Sequence, residues 1–157
     1  MATLQVEAPE KSQNVLGSIT INAPLEKVFN AHTNLDLFKK WWGRGNDLNV
    51  ISYEPKSGGN WHVVEKSDEG EYEFCGSFHE ISPNERIVWT FEFMGLPERG
   101  HVALEKMEFE AADENTTRIK TVSTYQSIED RDGMVASGME EGWRQSIEAL
   151  EEVASQS

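Results

Sequence analysis

Cysteine is almost missing from this chain: Cys75 stands alone among 157 residues. An internal disulfide and a cysteine-based metal site are therefore excluded. Basic residues are also scarce, with 14 Lys and Arg against 28 Asp and Glu and a formal net charge of −14. No extended basic patch interrupts the acid, so a polyphosphate chain would be repelled over most of the surface. Nucleic acid and an anionic membrane are thus not expected partners. No apolar run approaches the roughly 20 residues of a membrane span, and the opening "MATLQVEAPEKSQN" has no apolar leader core. A cytoplasmic location is the expectation. The four histidines, His32, His62, His79 and His101, never fall at H-x-H or H-E-x-x-H spacing. G-x-S-x-G, P-loop and G-x-G-x-x-G patterns are missing too. Neither a metal nor a cofactor is expected.

Aromatic residues and a clear change of period are present. A chain of this length suits one domain, burying roughly two thirds of its unfolded surface. Residues 1–14 are polar and read as a flexible N-terminal arm, with Leu4 and Val6 leaving open a short added strand; residues 15–157 read as the domain. "GSITINAP" reads as a strand ending at Pro24, where proline followed by Glu26 suits a helix start. Two short helices are expected near 24–32 and 34–42, the second capped by Asn34. From residue 49 the period is two, in "NVISYEP", "GNWHVVEK", "EYEFCGSFHEI", "RIVWTFEFM", "VALEKMEFEA" and "TRIKTVSTY", with turn signals between them. That is the pattern of an antiparallel meander. The last segment returns to steps of three and four, through Val135, Met139, Trp143, Ile147, Leu150 and Ala154. A helix over roughly 130–154 is expected, amphipathic, laid on the sheet, with Ser127 and Asp130 at its start. Trp143, mid-helix, is expected to be its most deeply buried residue. Gly133, Gly138 and Gly142 lie inside this span, each costing about 1 kcal/mol relative to alanine. Close approach to the sheet, a bend, or space for a guest would each offset that.

Trp41 and Trp42 adjoin a glycine loop in "DLFKKWWGRG". Helical neighbours point about 100° apart, so the two rings cannot share one packing direction. Either both plug the end of the core, or one faces the space between sheet and helix. Inward phase along the strands places Trp61, Phe74, Phe78, Trp89 and Met107 on core or pocket wall, which sequence alone does not separate. Thr121, Ser123 and Tyr125 alternate with the same inner face, and Glu105 shares a face with Met107. Buried polar groups need partners, so these positions are informative. His101 falls near a strand end that could reach the mouth. Cys75 stands among acidic residues that disfavour a thiolate.

"ITINAPLEKVFNAHTNLDLFKKWWG", "GGNWHVVE", "GSFHEISPNERIVWTFEF" and "GMEEGWRQSIEALEE" resemble, in order and spacing, successive landmarks of the SRPBCC superfamily. The likeness covers roughly 17–154, and within the superfamily it is nearest the branch named after the activator of the heat-shock-protein-90 ATPase. The resemblance implies an α+β helix-grip fold, START-like and birch-pollen-allergen-like: a curved antiparallel sheet around a long C-terminal helix, with two short helices after the first strand. It also implies a cavity between sheet and helix. Members of the superfamily bind lipids, hormones or polyketides, and some are cyclases or aromatase-like enzymes. The branch often has proline after "WWG", where this chain has Arg44.

The leading expectation is a non-enzymatic binder of a small apolar or amphipathic molecule. A cofactor-free cyclase or hydrolase in the same cavity is the alternative, and a buried charged pair among Glu105, His101 and Tyr125 would favour it. A co-chaperone-type interaction module, with a chaperone as partner, is the third reading. The candidate ligand-binding residues are Trp41, Trp42, Arg44, Trp61, Phe74, Phe78, Trp89, His101, Met107 and Tyr125. Arg44 with Lys39 and Lys40 forms a local basic rim, from which a guest with a carboxylate or enolate is expected.

Overall fold

The computed structural model describes residues 1–157. Its strands are β1 (Thr3–Glu7), β2 (Asn14–Ile21), β3 (Asp47–Tyr53), β4 (Asn60–Ser67), β5 (Gly70–Ser82), β6 (Arg86–Phe93), β7 (Val102–Asp113) and β8 (Thr116–Thr124). Helices α1 (Leu25–Thr33) and α2 (Leu35–Trp41) follow β2, and α3 (Ile128–Ala136) and α4 (Met139–Gln156) close the chain. All strands form one antiparallel sheet in the order β1-β2-β8-β7-β6-β5-β4-β3. Register shifts in β3, β5 and β7 mark bulges, which bend a strand and raise its twist. The curved sheet and the long C-terminal helix make the α+β helix-grip architecture.

Alternation decides the faces. Val15, Ile19 and Ile21 of β2, Ile119, Thr121 and Ser123 of β8, and Ala103 and Phe109 of β7 are all buried. Their neighbours Leu104, Lys106, Glu108 and Glu110 are exposed. α4 brings Ile147, Leu150 and Ala154 onto this inner face, and α1 and α2 add Val28, Phe29, Phe38 and Trp41. Asn34 caps α2 by accepting from the Leu37 amide, and Ser127 caps α3 by accepting from the Asp130 amide.

Three details differ from the sequence expectation. Where a loose arm is expected over 1–14, Thr3–Glu7 pairs with β2 as the added edge strand, and Leu4 is buried in the core. The helical span near 130–154 is divided at Ser137–Gly138, with Gly138 at φ 86° and ψ 21°. That left-handed conformation ends a helix and costs glycine little. Trp143 is half-buried, whereas Leu150 and Ala154 are fully enclosed, so depth on α4 increases toward its C-terminal half.

Candidate functional site

The packing between sheet and helices differs from one end to the other. At the α1–α2 end the packing is closed. Phe38 lies against Trp41, Tyr53 and Trp89, with ring centroids 5.6, 4.4 and 6.5 Å away. Trp41 turns into the core, and its Nε1 donates to the Ala31 carbonyl at 2.8 Å. His32 is buried edge-on to Trp41 and Phe109, with Nδ1 2.8 Å from the Val28 carbonyl. Burial lowers its pKa to about 4, against a smaller opposing effect of that hydrogen bond. The Tyr53 hydroxyl donates to the His32 carbonyl. Every polar group named at this end has a partner.

The mouth beside this end is set by Gly43, Arg44 and Gly45, at φ 75°, 64° and 76°. A left-handed arginine costs roughly 1–2 kcal/mol, so something must hold it. Its amide donates to Ser146 Oγ of α4 at 2.8 Å. Its guanidinium grips Glu65 of β4, with Nε 3.0 Å from Oε2 and Nη2 on the same oxygen, and Asn46 Nδ2 adds a bond of 2.9 Å. The Arg44 stem crosses α4 at Gly142, where a Cβ would stand 3.4 Å from its Cδ. Proline could not adopt this φ, so the loop differs from one built on a proline at that position. Lys39 and Lys40 line a separate open recess of about 370 Å³ with Asn46 and Asp47. Arg44 already has its carboxylate, so it does not supply the free cation on which the expectation of an acidic guest rests.

The other end is covered without being sealed. Trp42, whose ring stacks on Phe38 at 5.9 Å and so joins the two ends, is half-buried, edge-on to Trp61 at 5.7 Å and to Phe74 at 5.0 Å. Phe74, Phe91, Met107 and Trp143 also point inward while keeping accessible surface. Trp61 stacks on Trp89 at 4.3 Å beneath them, and Phe78 packs against Trp89; these three are core. Glu105 shares this inner face. Trp89 Nε1 donates to its Oε1 at 2.7 Å, and Ser123 Oγ donates to its Oε2 at 2.7 Å. Burial pushes its carboxyl up, and the two hydrogen bonds only partly offset this. Tyr125 lies nearby in a small cluster with Val15, Ala103, Met134 and Met139; burial, then the Glu105 charge, raises its phenol. Thr121 Oγ1 is buried without a hydrogen-bond partner. It sits beneath Trp143, where a Cβ on Gly17 would collide with both.

The structure thus brings Trp42, Phe74 and Met107 against the main core with Trp61, Phe78 and Trp89, whereas Tyr125 sits in the separate small cluster with Val15 and Ala103. It places Trp41 in the closed core and Arg44 on Glu65. His101 lies outside, its Nδ1 2.9 Å from Asp130 of α3, which raises its pKa. It makes no charged pair with Glu105. On the opposite face of the sheet, an open recess of about 380 Å³ is lined by His62, Cys75, Thr90 and Glu92 among others. There Arg99 and the Gly100 amide hold Glu92 down at about 2, and burial followed by Glu92 pushes the Cys75 thiol up. A reactive thiolate is disfavoured at that position. Phe91, Glu105, Thr121, Ser123 and Trp143 are the inner-face residues not among the ten candidates. Polar residues at the inward phase of β7 and β8 were the available signal for three of them.

A sheet gripping one long helix, with an aromatic inner wall left partly accessible, defines a START-like helix-grip domain. The chain belongs to the family described as Activator of Hsp90 ATPase homolog 1-like protein, whose model matches residues 22–155. Similar solved structures include a Mycobacterium smegmatis protein, with TM-score 0.86 at 17% identity, covering 99% of both chains. An Arthrobacter aurescens protein has TM-score 0.85 at 23% identity, covering 98% of this chain and 92% of that one. A Rhodobacter sphaeroides protein has TM-score 0.83 at 20% identity, covering 98% and 99%. These likenesses concern the fold. No curated protein matches the sequence, and no helix is long and apolar enough to cross a membrane.

Proposed function

We propose that this protein binds a small apolar or amphipathic molecule between the inner face of the sheet and the α3–α4 segment, without transforming it. One observation carries the reading. Trp42, Phe74, Phe91, Met107 and Trp143 face inward under a covering helix yet remain half-buried. An aromatic and thioether wall with a few fixed polar groups is the usual lining of a small-molecule site. The cover itself is loosely attached. In α3 only Arg131 is buried, and it holds the body through the Pro9 and Asn14 carbonyls, at 2.8 and 2.9 Å. Ile128 and Val135 of that helix are exposed. Few buried apolar contacts is the property of elements that open locally, so α3 is the side by which a guest enters.

The test is titration with long-chain aliphatic and flat aromatic probes, followed by amide and indole NMR shifts. Saturable shifts are expected at Trp42, Phe91, Met107, Trp143 and α3, with Trp41 and His32 unmoved. If no apolar probe shifts these residues, the binding reading is wrong.

A further inference from the structure

We propose that Glu105 is the polar anchor of this inner space, selecting guests whose buried end carries a hydrogen-bond donor: an alcohol, phenol or amine rather than a carboxylate. The inference rests on the ligand-binding reading above and names the chemistry of the guest.

The warrant begins with what Glu105 lacks. A carboxylate turned away from solvent normally has a cation beside it. No cation pairs with Glu105: Arg44 is held by Glu65, His101 by Asp130, and Arg99 lies with Glu92 on the opposite face of the sheet. Glu105 has only two neutral donors, Trp89 and Ser123, one on each oxygen. Each carboxylate oxygen accepts two hydrogen bonds, so each retains an open acceptor position. The residue as a whole is only partly buried, and its open acceptor positions belong to the inner wall on which a guest would lie.

Thr121 is the second, independent observation. Its hydroxyl is 6% exposed at the residue level and has no partner. Buried hydroxyls are usually satisfied, so an orphan invites a missing group. Thr121 precedes Ser123 by two on the same face of β8, and it pairs with Met107 as Ser123 pairs with Glu105. Glu105 and Thr121 are thus diagonal neighbours on the inner wall. Thr121 Oγ1 is turned toward Gly17 and the Trp143 ring, so it marks unmet polar capacity on the same wall rather than a second partner, and the guest hydroxyl donates to Glu105. A carboxylate guest would place like charge against Glu105 and has no proton to give.

Three probes of equal chain length separate the outcomes: 1-decanol, methyl decyl ether and decanoate, each titrated against tryptophan fluorescence and NMR shifts. The first two are neutral, so the net negative surface does not bias the comparison between them. Decanol is expected to bind at least about tenfold more tightly than the ether, the difference one well-made hydrogen bond supplies, with decanoate weakest. Glu105→Met should reduce the alcohol-over-ether ratio to less than about threefold, leaving ether affinity little changed. Thr121→Val should raise the melting temperature, because it removes an unsatisfied hydroxyl, while leaving the alcohol-over-ether ratio within about twofold; loss of the ratio in this variant would take the anchor away from Glu105 and overturn the inference. If Glu105→Met does not fold, the Glu105→Gln variant reads the same point, since Gln ceases to reject decanoate. Equal binding of alcohol and ether by the unaltered protein, or an unchanged ratio in the Glu105 variants, overturns the inference while leaving the binding site standing. Failure of all three probes to bind overturns both.

Discussion

The two ends of the packing under α4 are built from similar residues and end in opposite states. Both carry tryptophans, and both carry ionisable side chains whose pKa is shifted by burial, His32 and Tyr53 at one end and Glu105 and Tyr125 at the other. At the α1–α2 end, His32 is neutral and partnered, Trp41 Nε1 has the Ala31 carbonyl, and Phe38 is 1% exposed. At the α3–α4 end, Glu105 has no cation, Thr121 has no partner, and Trp143 is half-exposed. Polar groups are fully partnered at the first end and not at the second. The lesson is that similar residues can be satisfied at one end of a core and left short of partners at the other, and the proposed binding reading belongs to the second.

The widest separation between the ends is expected from aromatic truncation. Phe38→Ala should cost about 4 kcal/mol, within the range for a buried aromatic. Trp143→Ala should cost less than half of that, about 1–2 kcal/mol, despite its larger ring. Urea melts of the two variants measure this, and equal losses would erase the contrast drawn here.

Next in size is the mouth between the ends. Arg44→Ala leaves Glu65, 4% exposed, with Asn46 alone. A loss of roughly 3 kcal/mol is expected, because a buried carboxylate loses its cation. Double substitution of Arg44 and Glu65 by apolar residues should recover part of it; additive losses in that cycle would show the pair to be uncoupled.

Protonation should sharpen the comparison further. The folded-state pKa of His32, about 4, lies below its ordinary 6.5. Between those values the unfolded chain binds the extra proton, so His32 stabilises the fold fully above pH 6.5 and loses this as pH falls toward 4. The loss is about 3 kcal/mol at most, at about 1.4 kcal/mol per pH unit. Glu105 has the opposite sign. Its raised pKa means the folded chain holds the proton more tightly, so its contribution declines as pH rises through the raised value. Stability profiles of His32→Leu and Glu105→Gln should therefore deviate from the unaltered protein in opposite directions of pH, the first as pH falls below 6.5 and the second as pH rises above the ordinary carboxyl range. Deviations on the same side would contradict the assignment of the two ends.

The smallest expected effect is on the outer face of α4. Glu141 is exposed, and Glu141→Ala should change the urea midpoint by an amount equivalent to less than about 0.5 kcal/mol. A larger change would mean that the outer face of α4 is engaged in something not visible in its contacts.

Much of this organisation was legible residue by residue. Alternation in "RIVWTFEFM" and "VALEKMEFEA" placed Trp89, Glu105 and Met107 inward, and the lone polar inward position in β7 was already anomalous. The same reading did not foresee the helix break, because the three-and-four spacing runs through Gly138 without interruption and the break lies in one backbone angle. It misjudged Trp143 because periodicity gives the face of a helix and not its distance from the sheet. His101 and Arg44 were placed at the mouth as free groups, since their partners Asp130 and Glu65 are 29 and 21 residues away.

Sequence by itself determined the order of the elements, their faces and the family, because side-chain period and turn chemistry are local and survive without a partner. It determined also that a single cysteine, Cys75, leaves no internal disulfide to form. Tertiary structure alone decided which charges are neutralised. Arg44 left the list of free cations when Glu65 came beside it, and Glu105 was left without one. A charge acquires its meaning from what lies within a few ångströms in a low-dielectric interior, and no spacing along the chain fixes that distance.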